Sequence, residues 1–131
     1  MKEYSDKIIN EIWEKASTVE GYDDTKFRKD ACGAWIKRDK YNKKDSIFGW
    51  EIDHIYPKDK LKKVGVPEDK IDSLDNLRPL NWLNNESKGL NFPTYLSALT
   101  AVGNKNKREV NYFEIDKQTR DLLNTLYSEF L

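Results

Sequence analysis

Residues 50–89 constrain this chain more than any other stretch, because they read as strand, loop and short helix in succession. The run Ile47-Phe48-Gly49-Trp50-Glu51-Ile52-Asp53-His54-Ile55 predicts a strand. Strand side chains alternate, so Trp50, Ile52 and His54 share one face, and Glu51, Asp53 and Ile55 the other. Residues 57–75 predict a lysine-rich loop with little regular pattern, carrying Gly65 and Pro67. Leu77-Arg78-Pro79-Leu80 predicts an extended piece, since the residue before a proline avoids the helical region. Asn81 to Lys88 predicts a short helix stopped by Gly89.

The flanks carry weaker patterns. Residues 5–18 predict a helix capped by Ser5, with Ile8, Ile9, Ile12 and Trp13 on one stripe and Glu11 and Lys15 as an i, i+4 pair. Gly21-Tyr22-Asp23-Asp24 reads as a break, Thr25 to Asp30 as a helical turn, and Ala34-Trp35-Ile36 as a short strand. Asn42-Lys43-Lys44-Asp45 is a polar turn. Tyr95 to Val102 and Glu109 to Ile115 predict a hairpin across residues 103–107. Asp116 caps a predicted last helix running to about Phe130, with Leu122, Leu123, Leu126 and Tyr127 as its apolar stripe. Trp35, Trp50 and Trp82 read as core, and Cys32 as a small buried residue.

A length of 131 residues fits a single domain, 1–131. No apolar run approaches the roughly 20 residues that span a bilayer. No apolar signal region follows the start, so a cytoplasmic location without membrane partners is expected. With Cys32 alone, an internal disulfide and a cysteine-based structural zinc site are excluded. The 23 basic and 23 acidic residues balance, but unevenly along the chain. Residues 1–25 hold three lysines against seven acids, and residues 26–63 hold 12 basic residues against six acids. A central basic stretch can attract phosphate; a solvated charged surface is the plainer reading.

Within 50–89 stand Asp53-His54-Ile55-Tyr56-Pro57, then Asn76-Leu77-Arg78-Pro79-Leu80, then Asn85-Glu86-Ser87-Lys88. Here the sequence resembles the HNH endonuclease family. Its ββα-metal (His-Me finger) motif runs Asp-His, a loop, Asn-Leu-x-x-Leu, then a helix with His or Asn and a Lys three later. Asn76 and Asn85 are nine apart and Lys88 follows three after Asn85. The HNH domain of RNA-guided CRISPR nucleases has the same spacing and likewise Asn at the third position. The resemblance covers about 40 of the 131 residues. It implies an α+β fold with an HNH core at about 46–90, elaborated by an N-terminal part (1–45) with a helix and a C-terminal part (91–131) with a hairpin and a helix.

Phosphodiester hydrolysis needs a base for water and a cation for charge on the phosphate and leaving oxygen. His54 is the only histidine, and a neutral imidazole can accept a proton at physiological pH. The resemblance implies that Asp53 and Asn85 hold one cation between strand and helix, and that Asn76 orients His54 through a hydrogen bond. Lys88, one helical turn beyond Asn85, is expected to reach phosphate from the same helix face. Asn at 85 offers an oxygen where His would offer nitrogen, which favours Mg²⁺ or Mn²⁺ over zinc. Arg78, Lys58, Lys60, Lys62 and Lys63 are candidate nucleic-acid contacts, with solvated loop charge as the default. The implied partner is DNA, with RNA possible. The alternatives are a non-catalytic nucleic-acid-binding module and an RNA-cutting toxin on the same scaffold.

Overall fold

The computed structural model describes residues 3–131. The chain mixes helices with short antiparallel strand pairs. Ser5 caps α1 (Asp6–Trp13) by accepting from the Ile8 amide, and Ile9, Ile12 and Trp13 turn inward. The helix is shorter than the periodicity predicts. Lys15 lies beyond it and, instead of pairing with Glu11, donates to the carbonyls of Leu74 and Leu77.

Residues 27–29 form a strand, not part of a helical turn: β1 (Phe27–Lys29) pairs with β2 (Trp35–Lys37). The turn between them is organised by Asp30. Its carboxylate accepts from the amides of Cys32 and Ala34, from the Asn81 amide and from Asn84 Nδ2. Burial pushes the Asp30 carboxyl above the usual range; the four donors oppose it.

The predicted strand forms as β3 (Trp50–His54) and pairs antiparallel with β4 (Leu77–Asn81). The faces follow the expected alternation. Trp50 and Ile52 pack with Leu77 against Ile9, Ile12 and Trp13 of α1. Leu80, from the opposite face of β4, joins a second core with Ile55, Leu61, Ile71, Tyr95, Leu123 and Tyr127. The two leucines of the Asn-Leu-x-x-Leu segment thus serve different cores.

The segment 57–75 is more ordered than its composition suggests. It contains α2 (Lys58–Lys63) and α3 (Glu68–Ile71), each entered through a proline, Pro57 and Pro67. Proline suits a helix start, where its missing N–H costs nothing. Leu61, Val66 and Ile71 anchor the segment in the core. Three apolar anchors among ten lysines and acids are too sparse for a periodic signal.

Next comes α4 (Trp82–Lys88), capped by Asn81, whose side chain accepts from the Leu83 amide at 3.0 Å, and stopped by Gly89 at φ +53°. Asn84 fixes this helix: its Oδ1 accepts from the amides of Ala98 and Leu99 at 2.8 Å each.

The single predicted C-terminal hairpin is two nested pairings. β5 (Thr94–Leu96) pairs with β8 (Tyr112–Glu114), and β6 (Leu99–Val102) with β7 (Lys105–Arg108) across Gly103-Asn104. The two-residue turn, with Gly103 at φ +60°, is tighter than the predicted five-residue loop.

Asp116 caps α5 (Lys117–Leu126) as predicted, though the helix ends before Phe130. Leu123 and Tyr127 are buried, whereas Leu122 is 46% exposed, so the apolar stripe is narrower than expected. Asp116 accepts from the amide and hydroxyl of Thr119 at 3.0 and 2.7 Å, and these bonds lower its pKa. Asp116→Ala is expected to cost about 1 kcal/mol. A carboxyl whose pKa is lowered by folding stabilises above its unfolded pKa, and that gain disappears as pH falls through the lowered value. Urea unfolding of variant and parent should therefore differ at neutral pH and converge in acid. Among the described residues, no helix is long and apolar enough to cross a membrane.

Candidate active site

The β3–β4 pair and α4 bring the site together through two periodicities. Glu51 and Asp53, two apart on β3, face Asn85 and Lys88, three apart on α4. Two strand residues advance about 6.7 Å and three helical residues about 4.5 Å, so the two rows can meet. They do: Asn85 Nδ2 donates to Glu51 Oε1 at 3.0 Å, and Lys88 Nζ lies 3.2 Å from Asp53 Oδ1.

Asp53 has a second cationic partner. Arg78, directly across the pair on β4, donates through Nε to Asp53 Oδ2 at 2.8 Å. The Lys88, Asp53 and Arg78 side chains are 0%, 4% and 13% exposed. Lys88 also donates to the His54 carbonyl at 3.2 Å. Burial lowers the Lys88 pKa, Asp53 opposes that and Arg78 adds to it. For Arg78, burial works against the charge, but Asp53 and Tyr95 together outweigh it and raise the pKa.

This buried triad bears on two expectations. Lys88 and Arg78, both expected to reach nucleic acid, point into the protein. Each is turned inward by the carboxylate of Asp53, because a buried charge requires a partner.

His54 leaves β3 on the opposite face from Asp53. Its Nε2 lies 2.7 Å from Asp72 Oδ1, just after α3. The Tyr4 hydroxyl donates to the same oxygen at 3.1 Å. The role expected of Asn76 also needs correction. Asn76 is fully buried and does not hold the imidazole. Its Oδ1 accepts from the Tyr56 amide at 2.7 Å, and its Nδ2 donates to the carbonyls of Tyr56 and Ile71 at 3.1 Å each. It fastens the chain leaving β3 to the end of α3.

Asp53, His54 and Asn85 line one open cleft of about 170 Å³, together with Ile52, Pro57, Lys58, Asp59, Gly89 and Leu90. Lys58 is thus the one candidate nucleic-acid contact that lines the cleft. Lys60, Lys62 and Lys63 are exposed elsewhere on α2, as solvated charge would be. Glu51 and Asp72 were not anticipated. Strand alternation places Glu51 beside Asp53, so that signal was present. Asp72 had none, because its approach depends on α3, in a stretch without helical periodicity.

The carboxylate of Asp53 and the amide oxygen of Asn85 are the donor types of a hard-cation site. Each Asp53 oxygen already has one cationic partner, so a metal ion there would share the carboxylate with Arg78 and Lys88. No family model, curated protein or solved structure matches the chain.

Proposed function

We propose that this chain is a metal-dependent endonuclease of the HNH type that hydrolyses phosphodiester bonds in DNA. The observation that carries the reading is an imidazole held by a carboxylate at 2.7 Å in a cleft that also presents Asp53, Asn85 and Lys58. The order β3, β4, α4 agrees with the ββα-metal core that the motif implies.

In this reading His54 is the general base. It takes a proton from a water whose oxygen attacks phosphorus, and the bond from phosphorus to the sugar oxygen breaks. The leaving oxygen departs with a proton from solvent. Lys58 attracts the phosphate into the cleft. Asp53 and Asn85 would hold Mg²⁺ or Mn²⁺. The bound ion would supply positive charge to the phosphate and the leaving oxygen.

One observation favours a second reading. Asp53 is already neutralised by Arg78 and Lys88, as in a scaffold that binds nucleic acid without cutting it. Incubating the protein with supercoiled plasmid and a panel of divalent metals separates the two. Nicked or linear product with Mg²⁺ or Mn²⁺, absent with chelator, is expected. Binding without product under any metal would establish the non-catalytic module, and turnover with zinc alone would overturn the metal assignment. The chemistry acts at phosphate and does not separate DNA from RNA, so a structured RNA is digested in parallel. RNA as the preferred substrate would favour the toxin reading.

A further inference from the structure

We infer that Asp72, clamped by Tyr4, is the positioning residue that holds His54 in the tautomer whose basic nitrogen is Nδ1. The catalytic half of this inference rests on the endonuclease reading; the geometric half does not.

A carboxylate can only accept, so the 2.7 Å contact with Asp72 Oδ1 requires the proton of a neutral imidazole to sit on Nε2. Nδ1 is then the basic nitrogen. When it takes a proton the ring becomes cationic, and Asp72 compensates the new charge. The Asp72 side chain is 5% exposed, so little water screens the pair.

The carboxylate stands on a rigid mount. The Asp72 amide bonds to the Glu68 carbonyl at 2.9 Å, closing α3. The carbonyls of Lys70 and Ile71 are held by the Tyr127 hydroxyl at 2.7 Å and by Asn76 Nδ2 at 3.1 Å. Asn76 therefore acts on the mount of Asp72, and Asp72 acts on the ring.

Tyr4 brings the N-terminal segment into the site. It packs against the α1 core and donates to Asp72 Oδ1 alongside His54. Burial, with the charge of Asp72, raises the pKa of this phenol, so it stays a donor through the neutral range. The N-terminal part is then not merely packing: it presets the carboxylate that sets the imidazole.

The test exploits the single histidine, whose ring gives one set of imidazole NMR signals. Above the imidazole titration range, the wild type should show a slowly exchanging N–H proton correlated with Nε2. Asp72→Ala should lose it to solvent exchange. Asp72→Asn, which keeps the shape and an accepting oxygen, should retain a weaker signal and guards against misfolding of the alanine variant. On plasmid, Asp72→Ala should lower kcat on the order of 10²-fold with KM unchanged, Asp72→Asn less, and Tyr4→Phe by only a few-fold. In a His54→Ala background, Asp72→Ala should change nothing further, since its effect passes through the ring.

A proton that correlates with Nδ1, or that survives Asp72→Ala, overturns the inference. So does an Asp72→Ala enzyme that cuts at the wild-type rate or changes only in KM. If the wild type cuts nothing under any metal, the endonuclease reading falls and the catalytic role of Asp72 with it. The proton signal would still report the orientation of the ring.

Discussion

His54→Ala is expected to slow plasmid cleavage by about 10² to 10⁴-fold while leaving the fold in place. That range is what a positioned base contributes, and it corresponds to about 2.7–5.5 kcal/mol of barrier. The fold survives because the backbone of His54, not its ring, does the structural work. Its carbonyl accepts from Lys88, and its position opposite Leu77 in the strand pair does not depend on the side chain. The ring makes one strong contact, with Asp72, and the Tyr4 hydroxyl still donates to that carboxylate after truncation. Initial rates on supercoiled plasmid, with circular dichroism and a melting curve alongside, check the result. Unimpaired cutting by a folded His54→Ala protein would remove His54 from the chemistry.

The parts of this site that could be read from sequence are those governed by short-range rules. Alternation along Trp50–His54 put Asp53 and His54 on opposite faces, and the structure agrees because both faces of β3 are covered. Asn81 and Gly89 bracketed α4 because caps are local chemistry. What failed was long-range or sparse. Asn76 was expected to meet His54, yet the side chain that does so is Asp72, brought round by a four-residue helix with one buried apolar residue. Lys88 sits on the predicted helix face, but only the fold reveals that a buried carboxylate waits opposite it. The nested C-terminal pairing was missed for a related reason: several registers satisfy the alternation, and the Gly103-Asn104 turn chooses among them.

Asp53→Ala is expected to cost about 3–5 kcal/mol at pH 7, because it leaves two cations buried side by side without their shared anion. Lys88 suffers most, since its side chain is fully buried and loses its only carboxylate, retaining the His54 carbonyl. The loss should depend on pH in a defined direction. Burial lowers the Lys88 pKa in the folded state, so the unfolded chain binds the proton more readily and stability rises with pH toward the unfolded lysine value of about 10.4. Removing Asp53 removes the main opposing attraction, so the variant should regain part of its deficit between pH 7 and pH 9 as Lys88 sheds its proton. Adding Lys88→Met to Asp53→Ala should recover more than half of the loss at pH 7, because an apolar side chain of similar length needs no partner there. Urea unfolding at the two pH values measures all of this; an Asp53→Ala protein as stable as its parent would show that the triad is not held together as described. The double variant also separates chemistry from stability. A protein that folds without Asp53 or Lys88 and still cuts would exclude Asp53 as a required metal ligand. One that folds but is inactive with Mg²⁺ or Mn²⁺ would assign the lost activity to the missing carboxylate or ammonium, and the single Lys88→Met variant then decides between them.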